Sequence, residues 1–225
     1  AGWYEHEWRA YGYGFPRAGI RLAMLREGVE IFRQAWTTGS ATLDGEHYQV
    51  DGALVYPRPL QGTSVPGSEA NGIPMWVAGG GEQKTLRIAA EYADYTNFFG
   101  DLEGFTHKSE VLAGHCRDIG RDFDSIVRSS NFNTVVGRDE AEVEDRLRWL
   151  HDHLVTTGQS THKADKAIAS MRKQPAVGTP EQIAEKMGAL RDAGLGYAIH
   201  YFAEAAWDTS GIELFEQEVI PALAG

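Results

Sequence analysis

Cysteine is almost absent: Cys116 is the single one in 225 residues. An internal disulfide framework and a cysteine-rich metal site are therefore excluded. Long apolar runs are missing as well. No stretch reaches the length of a membrane span, and no signal peptide is visible, so the cytosol is the expected compartment. Positive charge is in short supply, with 21 Lys and Arg against 32 Asp and Glu, a formal net charge of -11. That balance argues against nucleic acid, whose phosphates demand a basic face. A small anionic ligand stays compatible, because a local nest of amides outweighs a distant negative field. Methionine is missing from the first position, where the chain reads Ala1-Gly2-Trp3; a processed terminus and additional upstream sequence both suit that start. The common signatures of nucleophilic catalysis are lacking too. There is no G-x-S-x-G elbow, and Cys116 falls mid-helix with no glycine turn behind it. His6-Glu7 opens like H-E-x-x-H, but Ala10 stands where the second histidine belongs.

What is present is organised around residues 73–87, IPMWVAGGGEQKTLR. A short apolar run, Ile73 to Ala78, breaks into Gly79, Gly80 and Gly81 and then into a segment that reads as helix. Strand, glycine turn and helix together form a place where bare backbone N–H groups and a helix N-terminus meet an anion. The common nucleotide patterns both fail here. Gln83 stands where a Walker loop needs glycine before Lys84-Thr85, and Lys84 fills the third glycine slot of G-x-G-x-x-G. Two readings stay open, a phosphate cradle and a merely tight turn. Glu82 and Thr85 fall in the expected first helical turn. Glu82 complements the helix dipole with or without a ligand, whereas Thr85 can donate its hydroxyl to a phosphate and Lys84 or Arg87 can add charge.

The remaining chain alternates between the two periodicities. Residues 1–17, rich in aromatics and glycine, read as a loop over a pocket. Residues 19–36 read as a helix with Met24, Leu25, Gly28, Val29, Phe32, Ala35 and Trp36 on one stripe. Asp44-Gly45 between β-prone flanks signals a hairpin, and Tyr56–Gly72, with its prolines and glycines, an extended connector; 40–72 together form an insertion. Strand 74–79, helix 82–92, strand Tyr95–Phe98, a helix at about 103–119 and a β-rich run Ile126–Val136 follow. Asp139 with Glu142 opens a helix in capping-box fashion, its stripe Val143, Leu147, Leu150 and Leu154. Residues 156–177 are polar and poorly patterned and read as a mobile segment. Thr179-Pro180-Glu181-Gln182 is a strong helix start, Ile183, Met187 and Leu190 form its stripe, and Gly194 ends it. Strand Tyr197–Phe202 and a helix opened by Ser210 with Glu213 complete the chain. Repeated β-then-α units imply an α/β fold with a parallel sheet covered by helices. His151 and His153 face different directions on their helix, and His200 reads as a core histidine in a strand.

Several of these segments, in this order, resemble the luciferase-like flavin and deazaflavin oxidoreductases, in particular the members that use coenzyme F420. The matching stretches are AGWYEHEWRAYGYGFP, RLAMLREGVEIFRQAW, TLDGEHYQVDGALVYPRPLQ, IPMWVAGGGEQKTLRIAAEYAD and VGTPEQIAEKMGALRDAGLGYAIHYF. The resemblance implies a single domain over 1–225, the C-terminal portion of a TIM-type (β/α)8 barrel with its active site at the carboxyl ends of the strands. It implies that AGW closes the fourth strand and that IPMWVAG is the fifth, so about the first four strands are not in the chain. A half barrel leaves open strand edges, and the chain alone is expected to be unstable or prone to aggregation. By the same resemblance Gly79, Gly80, Gly81 and Glu82, with Thr85 close by, match the cofactor-phosphate turn, and Gly2 and Trp3 a loop that approaches the cofactor. No catalytic residue is named; Glu5, His6 and His200 are the candidates left, each reading as structural, and no metal is expected. The implied activity is hydride transfer between F420 and a small organic substrate. FMN-dependent luciferase-like monooxygenase chemistry, a non-catalytic flavin-binding protein and an α/β domain whose turn binds nothing are the alternatives. The basic segment Lys163 to Lys173, with Lys166 and Arg172, would offset the acidic chain against the anionic tail of F420 if it folds over the site. The expected partner is a small-molecule substrate, with neither nucleic acid nor membrane; a homodimer is left open.

Overall fold

A computed structural model describes residues 1–59 and 73–224. The chain forms two compact units, one of Ala1–Thr96 with Glu110–Val127, the other of Asn97–Ser109 with Arg128–Gly225. Among the described residues no helix is long and apolar enough to cross a membrane.

The first unit opens with α1 (Glu5–Ala10), inside the segment expected to be a loop. It buries nothing and is held by local charge: Glu5 and Glu7 sit in its first turn, and Arg9 pairs with Glu5 one turn back at 2.6 Å. The aromatic residues behind it gather on Trp8, edge-on to Tyr13 and Phe15, while the Arg21 guanidinium lies 3.9 Å over the Phe15 ring. The long helix α2 (Ala18–Thr38) follows as its periodicity requires. Of its apolar stripe only Val29 and Ala35 are buried; Phe32 is 52% exposed and stacks on Trp36. The hairpin is β1 (Ser40–Asp44) against β2 (Gln49–Leu54), antiparallel, with Asp44 opposite Gln49. The carboxylate of Glu27 on α2 accepts from the N–H groups of Glu46, His47 and Tyr48 at 3.1, 2.9 and 2.8 Å and so pins the hairpin tip to the helix. Most of the proline-rich connector lies outside the described residues.

The glycine region comprises β3 (Trp76–Ala78), α3 (Thr85–Tyr92) and β4 (Tyr95–Asn97), which neighbours β3. Met75 and Val77 are buried, whereas Trp76 faces the other way and stacks on Tyr95 with ring centroids 4.4 Å apart. Asp94 locks this corner: its carboxylate accepts from the Met75 N–H at 2.7 Å and from Arg33 at 3.1 Å. The second half of α4 (Leu102–Ile119) contributes buried Leu112 and Cys116. Just past it, Arg121 donates to the carbonyls of Ala90 and Ala93 at the end of α3, filling acceptors that a helix C-terminus leaves open.

In the second unit β5 (Val127–Asn133) runs parallel to β8 (Leu195–Tyr201), and β6 (Val135–Val136) parallel to β7 (Val177–Gly178). Period-two alternation gives the β5–β8 pair two distinct faces. Phe132 and His200 lie on one, Ser129, Asn131, Tyr197 and Tyr201 on the other. Helix α5 (Glu140–Thr156) starts where Asp139 accepts from the Glu142 N–H. Glu142 reaches back one residue further than a capping box requires, to the N–H of Arg138. The segment 156–177 contains α6 (Thr161–Met171), which the patterning did not reveal because two small-to-medium residues, Ala164 and Ile168, carry its buried side. Ile168 joins Val135, Val143, Leu147, Leu150 and Val177 in one apolar cluster. Helix α7 (Pro180–Asp192) has the full capping box of Thr179 and Gln182, and Gly194 follows its end. The last helix runs through α8 (Ser210–Leu214), a π turn (Phe215–Val219) and α9 (Ile220–Leu223). Its start differs from the expected cap: Asp208 accepts from both the N–H and the hydroxyl of Ser210, which leaves the Ser210 oxygen to accept from Arg146.

Candidate functional site

In the first unit, residues 79–84 form an open turn and helix begins only at Thr85, later than Glu82. Close packing against Thr85 is what requires the turn's glycines. Gly79 has φ +126°, a region L side chains avoid, and a Cβ there would meet the Thr85 methyl at 3.2 Å; one on Gly81 would meet the Thr85 hydroxyl at 2.9 Å. Buried Thr85 thus packs beneath the backbone that the glycines carry over it. The Gly81 carbonyl accepts from the Leu86 N–H, and the Glu82 carbonyl is held by His115 Nε2 of α4 at 2.7 Å. Sequence reading passed over His115. Its only signal was a histidine near the middle of a helix, and its partner is 33 positions away.

The structure gives Gly2 and Trp3 different surroundings from the turn. The Gly2 carbonyl accepts from Arg21 Nε at 3.2 Å, and Gly2 lies in the wall of an apolar cleft of about 490 Å³ with Trp8, Met24, Leu25 and Phe32. Trp3 is 85% exposed, with its ring near Tyr4. Glu5 is spent on Arg9, and His6 contacts the Tyr4 ring at the surface.

The second unit carries a constellation that sequence reading missed. On the polar face of β5–β8, Asn97 Nδ2 donates to Ser129 Oγ and to Asn131 Oδ1, both at 2.9 Å. Asn131 Nδ2 donates to the Tyr201 hydroxyl at 3.3 Å. Beside this row, near the carboxyl ends of β4 and β5, a cleft of about 320 Å³ is lined by Phe99, Asp101, Asn131, Ser170, Lys173 and Pro175. One oxygen of the Asp101 carboxylate accepts from the Gly104 N–H, and the carboxylate lines the cleft together with the polar side chains of Asn131, Ser170, Lys173 and Gln174. Of the basic segment named above, Lys173 reaches this cleft, whereas Arg172 pairs with Glu144 elsewhere on the unit.

His200 is on the opposite face. Its Nδ1 meets the Thr134 hydroxyl at 2.8 Å, and its ring packs among Phe132, Phe202 and Phe215. Burial lowers its pKa to about 4, so the ring is neutral at physiological pH. After β8, buried Glu204 shares Arg146 with Glu142, Asp208 and Ser210; Arg146 is 3.5 Å from Glu204 and 2.9 Å from Glu142. Burial raises the Glu204 pKa, and its second carboxylate oxygen has no partner. Glu142 is lowered to about 2, chiefly by Arg138. Burial also raises the Cys116 thiol, which opposes a nucleophilic role. Among the described residues no three His, Cys, Asp or Glu side chains are grouped to hold a metal ion.

The profile of the luciferase-like monooxygenases matches residues 1–196. The F420-dependent glucose-6-phosphate dehydrogenase of Nocardia farcinica is 27% identical over 235 residues, covering 98% of this chain and 64% of the relative. The pyrimidine monooxygenase RutA of Stutzerimonas stutzeri is 27% identical over 156 residues, covering 67% of this chain and 39% of the relative. Among solved structures, monooxygenase RslO1 from Streptomyces bottropensis superposes with TM-score 0.71 at 14% identity, over 98% of this chain and 66% of that one. The F420-dependent tetrahydromethanopterin reductase from Methanopyrus kandleri does so with TM-score 0.66 at 19% identity, over 90% and 63%. The α/β, TIM-type fold is shared with these two solved structures, and the chain spans less than two thirds of the length of the curated relatives it matches.

Proposed function

The chain belongs to the luciferase-like monooxygenase family, and on that premise we propose that it is part of an oxidoreductase that uses a flavin-type cofactor, F420 in the first instance, to transfer hydride to or from a small organic substrate. The observation that carries this reading is similarity to an F420-dependent dehydrogenase across 98% of the chain. FMN-dependent monooxygenase chemistry is the second reading, favoured by the RutA match over 67% of the chain. When bound, the cofactor ring supplies the electron-pair chemistry; the protein supplies binding, orientation and exclusion of water.

The residues present fit a phosphate at the glycine turn. The Gly81–Lys84 segment is accessible immediately before helix α3, the Thr85 hydroxyl lies under Gly81, and Lys84 offers a cation. Gly79, Gly80, Gly81, Glu82 and Thr85 are therefore our proposed phosphate cradle, with the Glu82 carbonyl fixed by His115. Gly2 and Trp3 stay a proposal that rests on resemblance alone. In the second unit the cleft lined by Asp101, Asn131, Ser170 and Lys173 suits a small polar substrate, with Lys173 the group that would meet an anionic part of it. The experiment is equilibrium titration of the purified protein with F420 and with FMN, followed by turnover with glucose 6-phosphate. Saturable binding of F420 supports the first reading and of FMN alone the second; uptake of neither rejects both. Lys173→Ala should raise KM for an anionic substrate several-fold with kcat little changed, and an unchanged KM would remove the cleft from the substrate site.

A further inference from the structure

Three features of the β5–β8 face are not needed to hold the sheet together. The first is a directional hydrogen-bond chain. Asn97, 8% exposed, gives both amide hydrogens to Ser129 and Asn131, and Asn131 then donates to Tyr201. Every link donates the same way, so the Tyr201 oxygen is the acceptor and its own proton is the one left to give. Among the described residues no acceptor takes it. Such chains polarise from one end to the other, which strengthens the terminal donor. The second feature is position. Tyr201 is the last residue of β8, at the strand end where parallel α/β proteins carry their ligands. The third is access: Tyr201 is 53% exposed, so its hydroxyl can be reached by a ligand. An oriented phenol donor at a strand end matches a carbonyl oxygen on a heterocycle lying beside it.

We propose that Tyr201, oriented by Asn131 and Asn97, donates a hydrogen bond to the carbonyl oxygen of a planar heterocycle bound against this face. The inference rests on the flavin-type reading above. Two sources offer that chemistry, the cofactor ring itself and a pyrimidine-like substrate, and the probes separate them.

The test compares the wild-type protein with Tyr201→Phe, which keeps the ring and removes only the hydroxyl. An exposed site tolerates this change, and near-ultraviolet circular dichroism verifies the fold. Affinities for F420 and FMN are measured first, then that of uracil for the cofactor-loaded protein, with the ligand carbonyl stretch followed by Raman difference spectroscopy. Loss of one hydrogen bond should weaken binding about three- to tenfold and move the stretch to higher frequency. A change with F420 or FMN assigns the carbonyl to the cofactor ring; a change with uracil alone assigns it to the substrate. Asn97→Ala should produce the same shift in smaller measure, because it acts through Asn131. Unchanged affinities and an unchanged stretch in Tyr201→Phe overturn the proposal while leaving the oxidoreductase reading intact. A wild-type protein that binds neither cofactor overturns both.

Discussion

The two units carry their polar chemistry in opposite ways. In the first, the glycine turn is a backbone device: its shape comes from Gly79 and Gly81 passing over one buried threonine, and a single histidine holds its carbonyl. In the second, the work falls to side chains, a row of amides and a tyrosine on one sheet face and an arginine shared among three carboxylates. A backbone device tolerates changes to most neighbouring side chains but not to its glycines. A side-chain device fails when one central member is lost.

The largest expected effect is on the second kind. Arg146→Met keeps much of the aliphatic packing but leaves buried Glu204 without its cation, beside Asp208 and Glu142. Removing one partner of a buried pair costs about 3–5 kcal/mol, and protonation of the already raised Glu204 offsets part of it. Denaturant unfolding should therefore show a loss of roughly 2–4 kcal/mol; a loss below about 0.5 kcal/mol would place the cluster with ordinary surface pairs. Next comes Gly79→Val, which forces a branched residue to φ +126° and against Thr85. The expected cost is about 1–3 kcal/mol, a fall in Tm of several degrees for a chain of this size, together with weaker cofactor uptake. A variant that melts like the wild type would show that the turn relaxes freely and that the contrast between the units is overdrawn.

The third effect vanishes at neutral pH and grows on acidification. His200 titrates near 4 in the folded chain and near 6.5 when unfolded. Between those values the unfolded chain takes up a proton that the folded chain refuses, so stability falls as pH drops from 6.5 toward 4. Its ring faces Thr134 and three phenylalanines. His200→Leu removes this titration. Comparing the two proteins at pH 7 and pH 4.5 should show the wild type losing more stability than the variant; parallel losses would mean that the ring protonates without cost in the folded state.

What the sequence disclosed follows the same division. Local devices were legible: the glycine turn, the Asp139 and Thr179 caps, the hairpin and the long α2 stripe each lie within a few neighbouring residues. The start of α3 was misplaced because Glu82 suits a helix N-terminus, whereas the packing of Thr85 under Gly79 and Gly81 keeps the turn open to Lys84. The helical turn of α1 hid behind aromatic residues that suggested a loop. Helix α6 was hidden by a buried side as small as Ala164 and Ile168. The polar row could not be seen at all, since Asn97 and Asn131 are 34 positions apart and Asn131 and Tyr201 are 70. Only the parallel pairing of β5 with β8 makes them neighbours. The same holds for Arg146, whose partners Glu204 and Asp208 lie beyond the whole of α6 and α7.

The central claim is that the backbone-built turn grips the phosphate of a flavin-type cofactor, and titration of the wild type and Gly79→Val with F420 and FMN tests it most directly. Saturable, one-to-one binding of one cofactor by the wild type, weakened at least tenfold in the variant, is the expected result. Equal affinity in the two proteins, or no binding of either cofactor by the wild type, would contradict it.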